Sequence, residues 1–119
     1  MKNIEPQIYR QRLIIEAKYS INVNKEIVRD YLLTLSKKQN MNLVLLKPIV
    51  TSATGKGKAK HDGFEGVIIW VESGAVIYVW TKFKFLTVDI YSCKAFDNQF
   101  VVKFTTQFFK IVEIEYQIV

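Results

Sequence analysis

Three β-rich runs that follow one another with short turns constrain the fold of this chain most strongly. They are Phe64–Glu72, Ala75–Thr81 and Phe85–Ser92, and they are separated by Ser73-Gly74 and by Lys82-Phe83-Lys84. The runs are rich in β-branched and aromatic residues, which are typical of strands. Short turns between such strands predict an antiparallel meander at the centre of the domain.

The first of these runs carries apolar side chains at positions of both parities, as in Val67-Ile68-Ile69. A strand that is apolar on both sides is typical of a sheet covered on both faces. We expect helices on one face and a partner subunit or a second layer on the other. The sequence therefore predicts a homo-oligomer, with dimer and trimer both open.

Segments on either side of the meander complete an α+β domain with two helices packed on one face of an antiparallel sheet. Lys25–Lys38 is predicted to be a helix, because apolar residues recur along it at spacings of three and four. Asn22 or Asn24 can accept hydrogen bonds from the free amides at its start. A second helix is predicted to begin at Asp97 or Asn98.

Three further strands are predicted over Arg12–Tyr19, Leu43–Leu46 and Lys110–Val119, the last from its clear alternation of apolar and polar residues. For the second helix, a strand over Phe100–Phe104 is the alternative. Residues 49–63 are rich in Thr, Ser, Gly and Lys and predict a flexible loop. The predicted order is β-α-β, a loop, β-β-β, α, β, within one domain over residues 1–119.

Composition excludes several classes of protein. Cys93 is the only cysteine and His61 the only histidine, so an internal disulfide is excluded and structural zinc is not expected. The net charge is +6, but basic residues cluster only locally, at Lys56, Lys58 and Lys60. Nucleic acid is therefore not an expected partner. No signal peptide or membrane span is visible, which predicts a cytoplasmic protein. The richness in Lys, Ile and Asn suits an AT-rich genome, such as that of a phage.

Two short motifs carry a resemblance to a known family. Glu72-Ser73 ends the first β-rich run, and Asp89-Ile90-Tyr91-Ser92-Cys93 ends the third. These motifs and their spacing resemble the bacterial and archaeal S-adenosylmethionine decarboxylases, in which one strand ends in Glu-Ser-His and another in Asp-(Val/Ile)-Phe-Thr-Cys. The resemblance extends over nearly the whole chain and implies the decarboxylase fold. It also implies dimers with sites near subunit contacts.

The resemblance implies a covalent cofactor and a proton donor. In the family, the serine at the position of Ser73 attacks the carbonyl of the preceding glutamate, here Glu72, and is converted to a pyruvoyl group. That group accepts electrons as carbon dioxide leaves the substrate. The cysteine at the position of Cys93 is the proton donor. The product feeds polyamine synthesis.

The groups that assist self-cleavage in the family are replaced here. Glu65 stands where the family has a serine, and Tyr78 stands where it has a histidine. Gly74 replaces the histidine after the serine, and of the His-Thr-(aromatic)-Pro-Glu motif only the aromatic residue is kept, as Trp80. A positioned hydroxyl and a histidine are each worth about 100-fold to 10,000-fold in rate. Self-cleavage is therefore expected to be slow or absent.

An S-adenosylmethionine lyase without a covalent cofactor is the first functional hypothesis. The carboxylate of the substrate would attack its own γ-carbon and give methylthioadenosine and homoserine lactone. Glu65 would anchor the substrate ammonium, Tyr78 would donate a hydrogen bond, and Trp70 or Trp80 would offer a face to adenine or sulfonium. The structural alternatives are a solvated Glu65 and tryptophans of the core.

Two other functions stay open from the sequence. One is a pyruvoyl-dependent S-adenosylmethionine decarboxylase, with the cofactor derived from Ser73 and with Cys93 as proton donor. The other is a non-catalytic S-adenosylmethionine-binding or regulatory subunit, in which Ser73 and Cys93 are inherited relics. Asp89 is predicted to serve a structural hydrogen bond inside the sheet.

Overall fold

The computed structural model describes residues 1–53 and 59–119. The elements in chain order are β1 (Gln11–Lys18), α1 (Lys25–Lys38), β2 (Ile49–Ala53), a short 3-10 turn (Ala59–His61), β3 (Gly63–Trp70), β4 (Ser73–Trp80), β5 (Phe85–Ser92), α2 (Asn98–Phe109) and β6 (Glu113–Ile118). Within the described residues, no helix is long and apolar enough to span a bilayer.

The strands form one six-stranded antiparallel sheet in the order β2-β3-β4-β5-β1-β6. The meander of β3, β4 and β5 lies in the middle, as the short turns predict. β1 then pairs with β5 and with β6, so the N-terminal strand is internal. The antiparallel sheet and the two helices confirm the predicted fold.

Helix α1 has the predicted bounds because its local signals agree with its packing. The Asn24 side chain accepts a hydrogen bond from the Ile27 amide at 2.9 Å and caps the first turn. The apolar stripe, which includes the fully buried Tyr31, Leu32 and Leu35, faces the sheet. This confirms the amphipathic pattern read from the sequence.

Helix α2 begins at Asn98, and Asp97, one of the two candidate caps, is its N-cap. The Asp97 carboxylate accepts a hydrogen bond from the Phe100 amide at 3.1 Å. The rings of Tyr31 and Phe109 lie 4.8 Å apart, so the helix packs next to α1. The alternative strand over Phe100–Phe104 is wrong. These residues are helical, and packing of their aromatic side chains against α1, such as Phe104 on Tyr31, outweighs their low helix propensity.

The helices cover one face of the sheet. Gly66 permits this close approach, because a Cβ there would lie 2.7 Å from Cγ1 of Val28 in α1. Alternate residues of each strand point to this covered face and form the core. The core strand residues include Leu13, Ile15, Ile68, Trp70, Ile77, Leu86 and Val88.

The opposite face is called the open face here and consists of the alternate strand residues that point away from the helices. Large apolar and aromatic side chains on it remain 37–42% exposed, among them Ile14, Ile69 and Tyr78. The sequence predicts this face to be covered by a partner or a second layer. The open face includes Arg12, Ile14, Glu16, Glu65, Val67, Ile69, Gly74, Val76, Tyr78, Trp80, Thr87, Asp89 and Tyr91.

The prediction of the second strand and that of the following loop need correction. The second strand is Ile49–Ala53, and not Leu43–Leu46, of which only Leu43 forms an isolated bridge, to Trp70. The predicted loop over residues 49–63 is therefore wrong at its first five residues, and the 3-10 turn and the start of β3 take up its end. The sequence does not indicate this strand, because it is short, lies at the edge of the sheet and contains polar residues. Lys56 and Lys58 lie outside the described residues.

Candidate functional site

The turn between β3 and β4 places the Glu72-Ser73 motif at the end of a tight hairpin. Val71 and Glu72 form the two-residue connection, because Trp70 pairs with Ser73. Ser73 has φ = 133°, a region that favours glycine and that other residues occupy only under strain. We call Val71, Glu72 and Ser73 the strained turn. The strain lies at the position where the resemblance places self-cleavage.

Hydrogen bonds from distant residues hold the strained turn in place. The Glu72 carboxylate accepts bonds from the backbone amide of Asn42 at 2.9 Å and from its side-chain amide at 2.7 Å. The Val71 amide donates to the Asn42 carbonyl at 2.8 Å. The Asn42 backbone bond is the main reason why the pKa of Glu72 is lowered, and Lys94 adds a smaller effect of the same sign. Glu72 is therefore a fixed and ionised anchor at neutral pH.

Cys93 lies beside this turn. Its backbone amide donates to the Glu72 carbonyl at 2.8 Å, and Ser73 pairs with the neighbouring Ser92. The Cys93 side chain is exposed. The structure thus brings together three of the predicted site residues, namely Glu72, Ser73 and Cys93. The N–H on the Glu72 carbonyl polarises the bond that a self-cleaving serine would attack.

Gly74 follows the strained turn and has a steric reason to be glycine. A Cβ at this position would lie 2.4 Å from the carbonyl oxygen of Ile68 in β3. The position that holds a histidine in the resembling family is therefore too tight here for any side chain without a backbone shift. On the open face, Gly74 leaves a notch between Ile69 and Tyr91, its two neighbours across the sheet.

A second group of predicted residues lies on the open face. Glu65 and Tyr78 are direct cross-strand partners on β3 and β4. Thr51 donates a hydrogen bond to the Glu65 carboxylate at 3.2 Å, and the rings of Tyr78 and Trp80 lie 6.3 Å apart. We call Glu65, Tyr78 and Trp80 the open-face cluster. It combines an exposed carboxylate with aromatic rings, an arrangement that suits an organic cation.

The open-face cluster and the strained turn are separate within one chain. Glu65 is five positions from Trp70, the partner of Ser73, and Tyr78 is five positions from Ser73 on the same strand. At the rise of a β-strand this is about 17 Å. The predicted catalytic residues therefore form two groups and not one site in a single chain.

The two candidate tryptophans lie on opposite faces of the sheet. Trp70 is 2% exposed on the covered face, and its indole N–H donates to Oγ of Ser36 at 2.7 Å. It presents no ring face to solvent, which matches the structural alternative for this residue. Trp80 is partly exposed on the open face, between Tyr78 and Phe85.

Asp89 does not have the predicted role. It is exposed on the open face, and its carboxylate has no hydrogen bond or ion pair among the residues that the structure describes. The expected structural hydrogen bond is therefore wrong, because the side chain points away from the core. The sequence does not indicate that Asp89, Arg12 and Tyr91 form a group. Their only common signal is that they lie at alternate positions of paired strands and so point to the same face.

Groups of three or more metal-ligating side chains are absent from residues 1–53 and 59–119. His61, the only histidine, ends the 3-10 turn and lines a shallow pocket beside Glu65, Tyr78 and Trp80. The residues around this pocket thus offer polar and aromatic contacts that suit an organic ligand.

Comparisons with known proteins agree with this fold. The profile of the S-adenosylmethionine decarboxylase family matches residues 14–119. This match extends from the first strand through the last, and it includes both the strained turn and Cys93. The chain therefore belongs to the S-adenosylmethionine decarboxylase family.

Individual relatives are more distant. The arginine decarboxylase proenzyme of Hyperthermus butylicus is 31% identical over 72 residues, which are 60% of this chain and 46% of that protein. The matched region thus spans less than half the length of this curated relative. The crystal structure of the adenosylmethionine decarboxylase from Aquifex aeolicus has a TM-score of 0.74 at 17% identity, over 94% of this chain and 89% of the other. This second likeness shows the fold alone.

Proposed function

We propose that the chain is an S-adenosylmethionine lyase that uses no pyruvoyl cofactor and forms methylthioadenosine and homoserine lactone. One observation carries the proposal: Glu65 and Tyr78, which replace the groups for self-cleavage, are direct partners on the open face beside Trp80. A carboxylate next to aromatic rings suits a substrate that carries both an ammonium and a sulfonium.

The proposed reaction needs no acid, base or cofactor. A carboxylate oxygen of the substrate forms a bond to the γ-carbon, and the bond from that carbon to sulfur breaks. The electron pair of the broken bond neutralises the sulfonium, which leaves as the thioether of methylthioadenosine. No proton is transferred, so the enzyme must mainly hold the substrate in a reactive geometry.

Each residue of the open-face cluster has a role in this proposal. Glu65 anchors the substrate ammonium, and the bond from Thr51 fixes the orientation of its carboxylate. Tyr78 donates a hydrogen bond that orients the substrate, and Trp80 supports the Tyr78 ring and offers a face to the sulfonium. Glu72, Ser73 and Cys93 take no part in the chemistry.

The proposed active form is a homo-oligomer whose second copy covers the open face. Ile14, Ile69 and Tyr78 are between 37% and 42% exposed in the single chain, and a partner would remove them from water. A drier site favours the lyase reaction, because positive charge on sulfur disappears in the transition state. The proposal places the site near the contact between subunits in the cytoplasm.

Product analysis with purified protein tests the lyase. S-adenosylmethionine is incubated with the protein, and the products are separated and identified by mass. Methylthioadenosine together with homoserine lactone is the expected result. Unchanged S-adenosylmethionine contradicts the lyase and leaves a binding or regulatory subunit, which a titration of the same protein with S-adenosylmethionine then detects.

A pyruvoyl-dependent decarboxylase is the second candidate, because the strained turn retains features that suit self-cleavage. Ser73 has φ = 133°, and the Cys93 amide bonds to the Glu72 carbonyl. Ser73 and Cys93 fit a pyruvoyl group, which would withdraw electrons from the substrate as carbon dioxide leaves. Cys93 would then return a proton to the product carbon.

Intact-mass spectrometry separates the two candidates. The decarboxylase requires cleavage between Glu72 and Ser73, which gives pieces of 72 and 47 residues from the 119 residues of the chain. A single species of 13.9 kDa contradicts it. Because one relative is named an arginine decarboxylase proenzyme, arginine is offered beside S-adenosylmethionine in the assay of any cleaved protein.

A further inference from the structure

A groove on the open face lies between the strained turn and the open-face cluster. It has a volume of about 470 Å³, within the range of small-molecule sites. Its floor is the notch at Gly74, and Ile69 and Tyr91 form the walls on either side. An open notch between an aliphatic and an aromatic side chain suits a flat ring.

One carboxylate at this groove has no partner in the part of the chain that the structure describes. Asp89 lines the groove and is exposed, and its oxygens accept no hydrogen bond from the residues that the structure describes. Apolar side chains flank it on both neighbouring strands, since its direct partners are Val76 and Ile14. A carboxylate in an apolar patch is poorly solvated once the patch is covered, so it needs hydrogen-bond donors from a ligand.

Arg12 is held away from that carboxylate. Its guanidinium lies 4.7 Å over the ring centroid of Tyr91, its cross-strand partner. Arg12 and Asp89 form no ion pair within the described residues. The stacking therefore fixes the Tyr91 ring as a wall of the groove and leaves Asp89 open to a ligand.

The groove and the open-face cluster are spaced along one strand. Gly74 lies four positions from Tyr78 on β4, and Asp89 pairs with Val76, midway between them. These separations are about 13 Å and about 7 Å along the strand direction. An extended substrate with its ammonium at Glu65 can therefore pass Asp89 at its centre and reach the notch with its far end.

We infer that the groove is the nucleoside subsite, in which Asp89 accepts hydrogen bonds from the ribose hydroxyls and adenine lies in the notch above Gly74. This inference rests on the proposed binding of S-adenosylmethionine at Glu65. Carboxylates accept two hydroxyl donors well, which is why they recognise ribose in other nucleotide sites. Asp89 is thus a specificity residue that distinguishes a ribonucleoside from a deoxynucleoside.

Binding of adenosine and of 2′,3′-dideoxyadenosine, measured by calorimetric titration, tests the inference without any cleavage of substrate. The native protein should bind adenosine about tenfold to hundredfold more tightly, because the dideoxy compound lacks both donors to Asp89. Asp89→Asn should lose most of that preference and keep its affinity for the dideoxy compound. Glu16→Gln, another exposed open-face carboxylate, is the matched control and should keep the preference.

Two outcomes would overturn the inference. One is native protein that binds neither compound, or binds both equally. The other is Asp89→Asn with an unchanged preference for adenosine. Neither depends on product formation: a protein that binds adenosine through Asp89 and yet leaves S-adenosylmethionine intact contradicts the lyase and supports the subsite.

Discussion

Trp70 and Trp80 show how differently the two faces of one sheet are built. Trp70 lies on the covered face, 2% exposed, with its indole N–H bonded to Ser36. Trp80 lies on the open face with part of its surface in water and with Tyr78 and Phe85 as its ring neighbours. The same residue type therefore stabilises the fold on one face and is available to a ligand on the other.

The contrast extends to the polar groups. On the covered face and at the strained turn, polar side chains have defined partners, such as Tyr31 with Thr105 and Glu72 with Asn42. On the open face, Asp89 lacks any partner among the described residues. An exposed carboxylate without a protein partner bonds to water in the single chain and is free to accept hydrogen bonds from a ligand or from a second copy.

Replacing each tryptophan by alanine gives the largest expected effect. Trp70→Ala should lower the free energy of unfolding by about 3–5 kcal/mol, because it leaves a cavity and removes the indole N–H that donates to Oγ of Ser36. Trp80→Ala should lower the free energy of unfolding of the single chain by less than about 1 kcal/mol, because the side chain is partly exposed there. Urea denaturation of both variants measures the difference. Equal losses would show that the two faces are equally buried in the working protein.

The helices and the meander could be predicted because their signals are local. The Lys25–Lys38 helix has an apolar stripe and an asparagine cap, and β4 and β5 are β-rich runs between short turns. Strand Ile49–Ala53 could not be predicted in the same way. Its Thr and Ser residues become a strand only through pairing with β3, a partner supplied by the tertiary structure.

The candidate site was predictable in part. Motif spacing indicated that Glu72, Ser73 and Cys93 belong together, and the structure places them side by side, with the Cys93 amide bonded to the Glu72 carbonyl and Ser73 paired with Ser92. The hydrogen bonds from Asn42 to the Glu72 carboxylate could not be predicted, because they join residues 30 positions apart and need no particular local sequence. The open groove also escaped prediction, because it depends on the alignment of three strands.

The next largest expected effect is on the rate of methylthioadenosine release, measured in variants of the open-face cluster and of the strained turn. Glu65→Gln should slow release of methylthioadenosine about 100-fold, because the ammonium anchor loses its charge and the substrate is misplaced. Ser73→Ala should stay within about twofold of the native rate, because Ser73 lines only the far end of the groove, about 17 Å along the strand from the ammonium anchor, and takes no part in the proposed reaction.

Glu16→Gln is the control for this pair, since Glu16 is an exposed carboxylate at the same level of the open face, two strands from Tyr78. It should keep the native rate. The reverse ranking, with Ser73→Ala inactive and Glu65→Gln active, would assign the chemistry to the strained turn and rule out the proposed mechanism.

The backbone strain at Ser73 predicts a smaller effect on stability. Ser73→Gly should be more stable than Ser73→Ala by about 1 kcal/mol, because glycine adopts φ = 133° without steric cost. Thermal unfolding of the two variants measures this difference. The same exchange at Thr87, an ordinary strand position on β5, should favour alanine over glycine, since φ there is not positive.

The Glu72 carboxylate predicts the smallest effect and one that depends on pH. Because its pKa is lowered in the folded chain, mainly by the Asn42 amide, the ionised form stabilises the fold. That stabilisation is complete above the usual value of 4.5 and is lost as the pH falls through the lower folded value. Glu72→Gln should therefore cost on the order of 1 kcal/mol at pH 7 and progressively less below pH 4.5.

Asn42→Ala sharpens this measurement, because it removes the side-chain amide and keeps the backbone amide, the larger cause of the shift. Its pH dependence should therefore lie between those of the native protein and Glu72→Gln. Unfolding by urea at several pH values provides the comparison. A difference in the free energy of unfolding between the native protein and Glu72→Gln that stays constant at all pH values would contradict this prediction. It would mean that the hydrogen bonds of the hairpin hold the strained turn without a contribution from the carboxylate charge.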